Sequence, residues 1–173
     1  LVIVATGYYT ESRSPHDTNP TPVPAGTYRV VKFDDGDTIV VDMNGVEEKI
    51  RFIGVDTPET HDPRKAVQCF GQAASDYTHQ RIGDQPVRLE TDPLSTNRDR
   101  YNRLLRYVYL PDGTLLNLDI IQQGYGFAYL SFPFTKSDDF RIAQTSAREQ
   151  NKGLWSSCKP TTNQYSGYTS NDD

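Results

Sequence analysis

Apolar residues change their spacing partway along this chain, from every second position to every third or fourth, and that change limits the folds open to it. Residues 27–33, 38–43 and 46–55 are rich in Val, Ile, Phe and Tyr and are separated by Asp34-Asp35-Gly36 and Asn44-Gly45. Alternation places successive side chains on opposite faces of a strand, and Asp-Gly and Asn-Gly pairs accept the positive φ of a tight hairpin. Three consecutive strands are therefore expected, and residues 87–91 and 104–110 add two more. Three helices interrupt and follow them. The first is expected near residues 69–81, entered through Pro63 and left at Gly83. The second spans 115–123, with Leu116, Ile120 and Ile121 on one face and a stop at Gly124. The third runs from about 138 to 152, with Ser137 as N-cap, Asp138 and Asp139 in the first turn and Gly153 beyond its end. The predicted class is α+β: a five-stranded OB-fold β-barrel, its strands in a meander, with three α-helices. Such barrels often bind oligonucleotides, although a fold does not by itself assign a function.

Two flanks lack this order. Residues 1–25 open with Leu1-Val2-Ile3-Val4-Ala5, too short to cross a bilayer and readable either as the remnant of a signal or anchor or as an edge strand. Pro15, Pro20, Pro22 and Pro24 then predict an extended linker. Residues 160–173 are Thr, Asn, Ser, Tyr, Gly and Asp without apolar periodicity, which predicts a disordered polar tail. The folded domain is thus expected over residues 26–159. The 173-residue chain carries a formal charge of −5, which excludes a protein that holds nucleic acid by a bulk positive field. Any grip on phosphate must be local. Cys69 and Cys158 have no Cys or His at zinc-ligand spacing, so they form a single disulfide or remain two free thiols.

The chemistry concentrates in three places. Ile53-Gly54-Val55-Asp56-Thr57-Pro58-Glu59-Thr60 follows Asp35-Gly36-Asp37-Thr38 at short range, which gathers carboxylates without a nearby His or Cys. A hard, oxygen-preferring cation suits that donor set; calcium or magnesium fits and zinc does not. Asp35 and Asp37 could alternatively serve only the hairpin turn, with Asp56 and Glu59 capping the next bend. Arg51 lies inside Ile50-Arg51-Phe52-Ile53, an otherwise buried strand, where a guanidinium needs an anion, either an internal carboxylate or a bound phosphate. Asn97-Arg98-Asp99-Arg100-Tyr101-Asn102-Arg103 brings several cations to one loop, which reads either as a solvated turn or as a two-pronged phosphate grip.

Asp-Gly-Asp-Thr, an Arg in an apolar strand, Val-Asp-Thr-Pro-Glu-Thr and Asp-x-Tyr-x-Arg occur here in the order found in staphylococcal nuclease and its relatives. With Gln123-Gly124 and Gly153-Leu154-Trp155-Ser156, the resemblance extends over roughly residues 26–158. It implies a nuclease dependent on one Ca2+ ion that hydrolyses DNA and RNA with little sequence preference, favours single strands and leaves 3′-phosphate ends. Carried over by position, Asp37 and Asp56 resemble the calcium carboxylates, and the Thr57 carbonyl a further ligand. Glu59 resembles the carboxylate that orients or deprotonates the attacking water. Arg51 and Arg103 resemble the arginines that clasp the scissile phosphate. Arg100 and Tyr101 match the nucleotide-contacting Lys and Tyr, with Arg in place of Lys. Tyr129 matches the first tyrosine of the nucleobase pair with a one-residue shift, and Phe132 matches the second poorly. The resemblance also implies a monomer without an obligate protein partner, in an extracellular setting, secreted or anchored to the cell surface. A Cys69–Cys158 disulfide, stapling helix to tail, would suit that compartment. The competing reading is a catalytically silent OB module that binds single strands. His16, His61 and His79 are assigned no catalytic part, and Trp155 is expected to pack the last helix onto the barrel.

Overall fold

A computed structural model of the chain describes residues 24–60, 67–164 and 167–171. The amino-terminal run, Pro15, Pro20, Pro22, His16, His61 and the Pro63 helix entry lie outside the described residues.

The alternating segments form β1 (Thr27–Asp35), β2 (Thr38–Met43) and β3 (Val46–Phe52), followed by the two-residue β4 (Val55–Asp56). Helix α1 (Gly71–Ile82) precedes β5 (Val87–Glu90) and β6 (Leu104–Tyr109); α2 (Leu116–Gln122), β7 (Phe127–Ala128), α3 (Ser137–Glu149) and α4 (Leu154–Ser157) complete the domain. Five strands close a barrel in the order β1-β2-β3-β6-β5, while β4 and β7 pair beside it. The order differs from the expected meander. β3 runs parallel to β6, with Ile50 opposite Leu104 and Phe52 opposite Arg106. A parallel neighbour needs a long return path, which the β4, α1 and β5 segment supplies. β1 shifts register between Val30 and Lys32 and again between Phe33 and Asp35, and it pairs with both β2 and β5. Irregularities of this kind bend a strand enough to close a barrel.

Ile39, Val41, Ile50, Phe52, Val87 and Val108 fill the barrel, and Leu116, Ile120, Ile121 and Phe140 extend that core beneath the helices. Among the described residues four helices are present where three were expected, because α4 is a single turn and too short to show a period. Ser137 is the first residue of α3, not its cap. Lys136 occupies the cap position without a side-chain hydrogen bond, and the helix ends at Glu149, short of Lys152. Asp138 and Asp139 do stand in its first turn, where acidic side chains favour the helix dipole.

The carboxy-terminal segment departs furthest from expectation. In place of a disordered tail, β8 (Thr161–Thr162) pairs with β9 (Tyr168–Thr169). Tyr168 stacks against Phe127 and meets Trp155 edge to face, with ring centroids 6.2 and 5.0 Å away. A polar segment without periodicity is thus ordered by one aromatic ring and by backbone pairing, neither of which leaves a repeating pattern. Cys69 and Cys158 are joined in a disulfide, with Cα atoms 5.7 Å apart. No helix among the described residues is long and apolar enough to cross a membrane.

Candidate active site

The loops that leave β1, β3 and the strand before β6 meet over one open cleft of about 1330 Å³. Asp37, Arg51, Asp56, Thr57, Glu59, Arg100, Tyr101 and Arg103 all line it. Tyr129 does not. Its backbone N–H donates to the Gly54 carbonyl at 2.8 Å, which holds it at the β4–β7 side, and its ring lies 5.9 Å from that of Phe132.

Two tight approaches set the acidic half. Gly36 lies so close to Thr57 that an added Cβ would come within 2.9 Å of its side chain, so the β1–β2 turn can rest on the Asp56-Thr57 bend only without a side chain there. Thr78 of α1 donates to the Gly36 carbonyl at 2.5 Å and holds the turn from below. Asp37, 6% exposed, accepts from the Thr57 backbone N–H and the Thr38 hydroxyl, both at 2.9 Å. A turn at Ile53-Gly54 separates β3 from β4; the Gly54 φ of 75° favours glycine, and its missing Cβ leaves room for Phe134.

Arg51 ties the acidic residues together. Its guanidinium donates to Asp56 at 2.9 Å and to the Val55 and Phe52 carbonyls at 2.6 and 3.1 Å, and it lies 3.1 Å from Asp37. Its side chain is only 12% exposed. Burial opposes the charge, yet Asp37 and Asp56 outweigh it and hold the guanidinium above its ordinary range. The basic half is built differently. Asp99 accepts the backbone N–H groups of Tyr101 and Arg103, each at 2.9 Å, and the Arg103 Nε at 2.7 Å. Burial works against the Asp99 carboxylate, but these donors hold it below its usual range. Arg100 donates to the Tyr101 hydroxyl at 2.7 Å, and the Arg100 and Arg103 guanidiniums lie 4.7 and 5.4 Å from the Tyr101 ring. Arg98 anchors this loop on β3 through paired hydrogen bonds to Glu48, 2.8 and 2.9 Å long.

Asp35 belongs to the same acidic group, although its place before Gly36 suggests only a turn-former. It accepts from the Thr60 hydroxyl at 2.9 Å and faces Asp37 and Glu59. Burial first, then the Asp37 charge and a hydrogen bond with Glu59, push its carboxyl up to about 7. The repeated acidic residues of Asp34-Asp35-Gly36-Asp37 were the available sign. Gln68 was missed entirely. Its side-chain oxygen accepts the Glu59 N–H at 2.9 Å, and its backbone N–H donates to the Glu59 carbonyl at 3.0 Å.

The donor chemistry suits a hard cation. The carboxylates crowd one another, and among the described residues the Thr57 hydroxyl is buried without a hydrogen-bond partner and no His or Cys lines the cleft. Positive charge placed among Asp35, Asp37 and Glu59 would relieve the repulsion that raises Asp35. Among the described residues, no three His, Cys, Asp or Glu side chains converge as a ready-made metal site. Asp37 and Asp56 are each turned to Arg51 instead.

Residues 49–157 match the family model described as staphylococcal nuclease homologue. The chain belongs to the staphylococcal nuclease family. It is 36% identical to the thermonuclease of Staphylococcus intermedius over 158 residues, 89% of this chain and 90% of that protein. It is 40% identical to the thermonuclease of Staphylococcus hyicus over 131 residues, 75% of this chain and 76% of the other. Endonuclease YncB of Bacillus subtilis is 37% identical over 131 residues, 75% of this chain and 61% of its own length. Closed barrel, acidic turn and basic loop are thus arranged on a framework shared with proteins named as nucleases.

Proposed function

We propose that this member of the staphylococcal nuclease family, a phosphodiester hydrolase, uses one calcium ion to cleave DNA and RNA with little sequence preference, leaving 3′-phosphate ends. The observation that carries the reading is the convergence of Asp37, Arg51, Asp56, Glu59 and Arg103 on one cleft. Asp37, Asp56 and the Thr57 carbonyl would hold the ion, with Asp35 behind them. When bound, calcium supplies Lewis-acid polarisation of a phosphate oxygen and offsets the crowded negative charge.

The rest falls to the chain's own groups. Arg51 and Arg103, which line the same cleft, present guanidinium forks to the phosphate, and their hydrogen bonds strengthen as charge gathers on the equatorial and departing oxygens. Both are held on carboxylates in the free protein, so phosphate exchanges one anion for another at a site already built for it. Glu59 takes or directs the proton of the attacking water. Arg100 and Tyr101, which line the cleft, meet the sugar-phosphate chain; Tyr129 lies outside that lining and would meet only a base that extends beyond it. These contacts read backbone and a flat face, not base edges, which favours single strands of either nucleic acid. The protein works as a monomer with no obligate partner, and the Cys69–Cys158 disulfide suits an extracellular site of action, secreted or surface-anchored.

Cleavage of denatured DNA with calcium and with chelator, beside Glu59→Gln and Arg51→Ala, tests the assignment. Calcium-dependent digestion that either substitution lowers by about a hundredfold is expected. Tight strand binding without cleavage would instead identify a silent binding module.

A further inference from the structure

The disulfide and the carboxy-terminal hairpin lie away from the cleft, yet a short run of hydrogen bonds connects them to Glu59. The Glu59 N–H donates to the Gln68 side-chain oxygen at 2.9 Å, and the Gln68 N–H returns to the Glu59 carbonyl at 3.0 Å. On its far side Gln68 donates to the Ser170 carbonyl at 3.4 Å. The next residue, Cys69, donates its N–H to the Asn171 carbonyl at 2.8 Å and accepts the Ser170 hydroxyl at 2.7 Å. Its sulfur is bonded to Cys158. Asn171 in turn donates to the Cys158 and Lys159 carbonyls at 3.2 and 3.1 Å. Ser170 is 4% exposed, unusual for a serine in a polar segment without apolar periodicity.

We infer that the carboxy-terminal hairpin, clamped by the Cys69–Cys158 disulfide, is a strap that positions Glu59 through Gln68, so that turnover depends on the redox state of a bond remote from substrate. The inference rests on the reading of Glu59 above. Glu59 sits in an irregular segment outside the named strands and helices; its carboxylate accepts the Thr60 N–H at 3.1 Å and meets Asp35, while its backbone N–H and carbonyl are both bonded to Gln68. Residues 68–69 are held on one side by α1, whose Gly71 N–H donates to the Gln68 carbonyl at 2.8 Å, and on the other by the disulfide, Ser170 and Asn171. A dithiol would open the link by thiol–disulfide exchange: the Cys69–Cys158 bond breaks, each sulfur gains a proton and an electron, and the dithiol closes to a cyclic disulfide. Small displacements of a group that directs an attacking water cost rate more than binding.

The test uses the full chain on denatured DNA with calcium. Steady-state kcat and KM are measured for the oxidised protein, the dithiothreitol-reduced protein and Gln68→Ala, each repeated in a Glu59→Gln background. The strap predicts that reduction and Gln68→Ala each lower kcat about tenfold while KM stays within about twofold. Neither should lower kcat further once Glu59 is Gln, because the strap acts through that residue. An equal loss in both backgrounds, or unchanged kcat in the wild type, overturns the proposal. Near-UV circular dichroism of the single tryptophan, Trp155, reports whether the reduced protein stays folded; if it does not, Gln68→Ala alone decides. Amide exchange is the readout besides activity. Faster exchange at Glu59 in Gln68→Ala, with Val108 in the barrel unchanged, supports the strap, and unchanged exchange at Glu59 overturns it. A wild type that fails to cleave, or a Glu59→Gln as active as wild type, overturns the catalytic reading of Glu59, while exchange still decides the strap.

Discussion

Asn117 offers a stability prediction whose size follows from the geometry. It stands on α2, fully buried, and its side-chain oxygen accepts the Val108 N–H at 2.8 Å. Its amide nitrogen donates to the Ile53 carbonyl at 2.9 Å and to the Arg106 carbonyl at 3.1 Å. The Arg106 carbonyl also accepts from the Ile53 N–H at 3.0 Å and so keeps a partner when Asn117 is truncated. The Val108 N–H and Ile53 carbonyl lose the bonds that Asn117 supplies. A buried backbone group left unmet costs about 1–3 kcal/mol, so Asn117→Ala should lose about 4 kcal/mol. That is a large share of the roughly 5–15 kcal/mol a domain possesses, and it should lower Tm by about 8–16 °C. Urea unfolding with the disulfide intact measures it, with an unchanged m-value showing that two-state unfolding holds. A loss below about 1 kcal/mol would refute the claim that Asn117 is what satisfies these groups. Because Ile53 leads directly into Gly54-Val55-Asp56, Asn117 also bears on where the acidic half of the cleft sits.

Three further outcomes follow. Arg51→Lys should lower kcat by about a hundredfold, roughly 3 kcal/mol of transition-state stabilisation, because an ammonium cannot reach Asp37, Asp56 and the Val55 carbonyl together; steady-state kinetics at saturating calcium would show it. Asp92, 4% exposed, accepts from the Tyr107 hydroxyl and the Leu94 N–H, both at 2.8 Å, and from Thr135; burial opposes the carboxylate, but these donors hold it below its ordinary 3.8. Its contribution is therefore complete above pH 3.8 and disappears as pH falls through the lower folded value, so the Tm gap between wild type and Asp92→Asn should narrow on acidification below that point. A gap constant from pH 6 down to about 2.5 would contradict this. Gly54→Ala should cost about 2–4 kcal/mol in chemical denaturation, since the Cβ meets Phe134 at 2.6 Å on a left-handed backbone.

The strands were legible because alternation is a local property. β2 falls at residues 38–43, as its β-branched run Thr38-Ile39-Val40-Val41 and the flanking Asp-Gly and Asn-Gly turns indicate. Periodicity says nothing, however, about which non-neighbouring strands pair, so the parallel contact of β3 with β6 could not be read from it. The residues of Asp-Gly-Asp-Thr and Val-Asp-Thr-Pro-Glu-Thr were legible as a candidate cluster for a related reason, since carboxylates dense in sequence at strand ends tend to meet, and Asp35, Asp37, Asp56 and Glu59 do line one cleft. Asp35 is assigned to a turn by its sequence and to the acidic cluster by its burial, and both descriptions apply.

By itself, then, the sequence determined which segments could be strands or helices and which side chains are candidates to carry the chemistry, because hydrophobic period and charge density are set by residues a few positions apart. Tertiary structure decided the register of the closed barrel, the contact of Gly36 with Thr57, and the order imposed on the carboxy-terminal residues by Tyr168 and Cys158. Each of those depends on atoms brought together from distant parts of the chain, where the free energy of contact leaves no trace in local spacing.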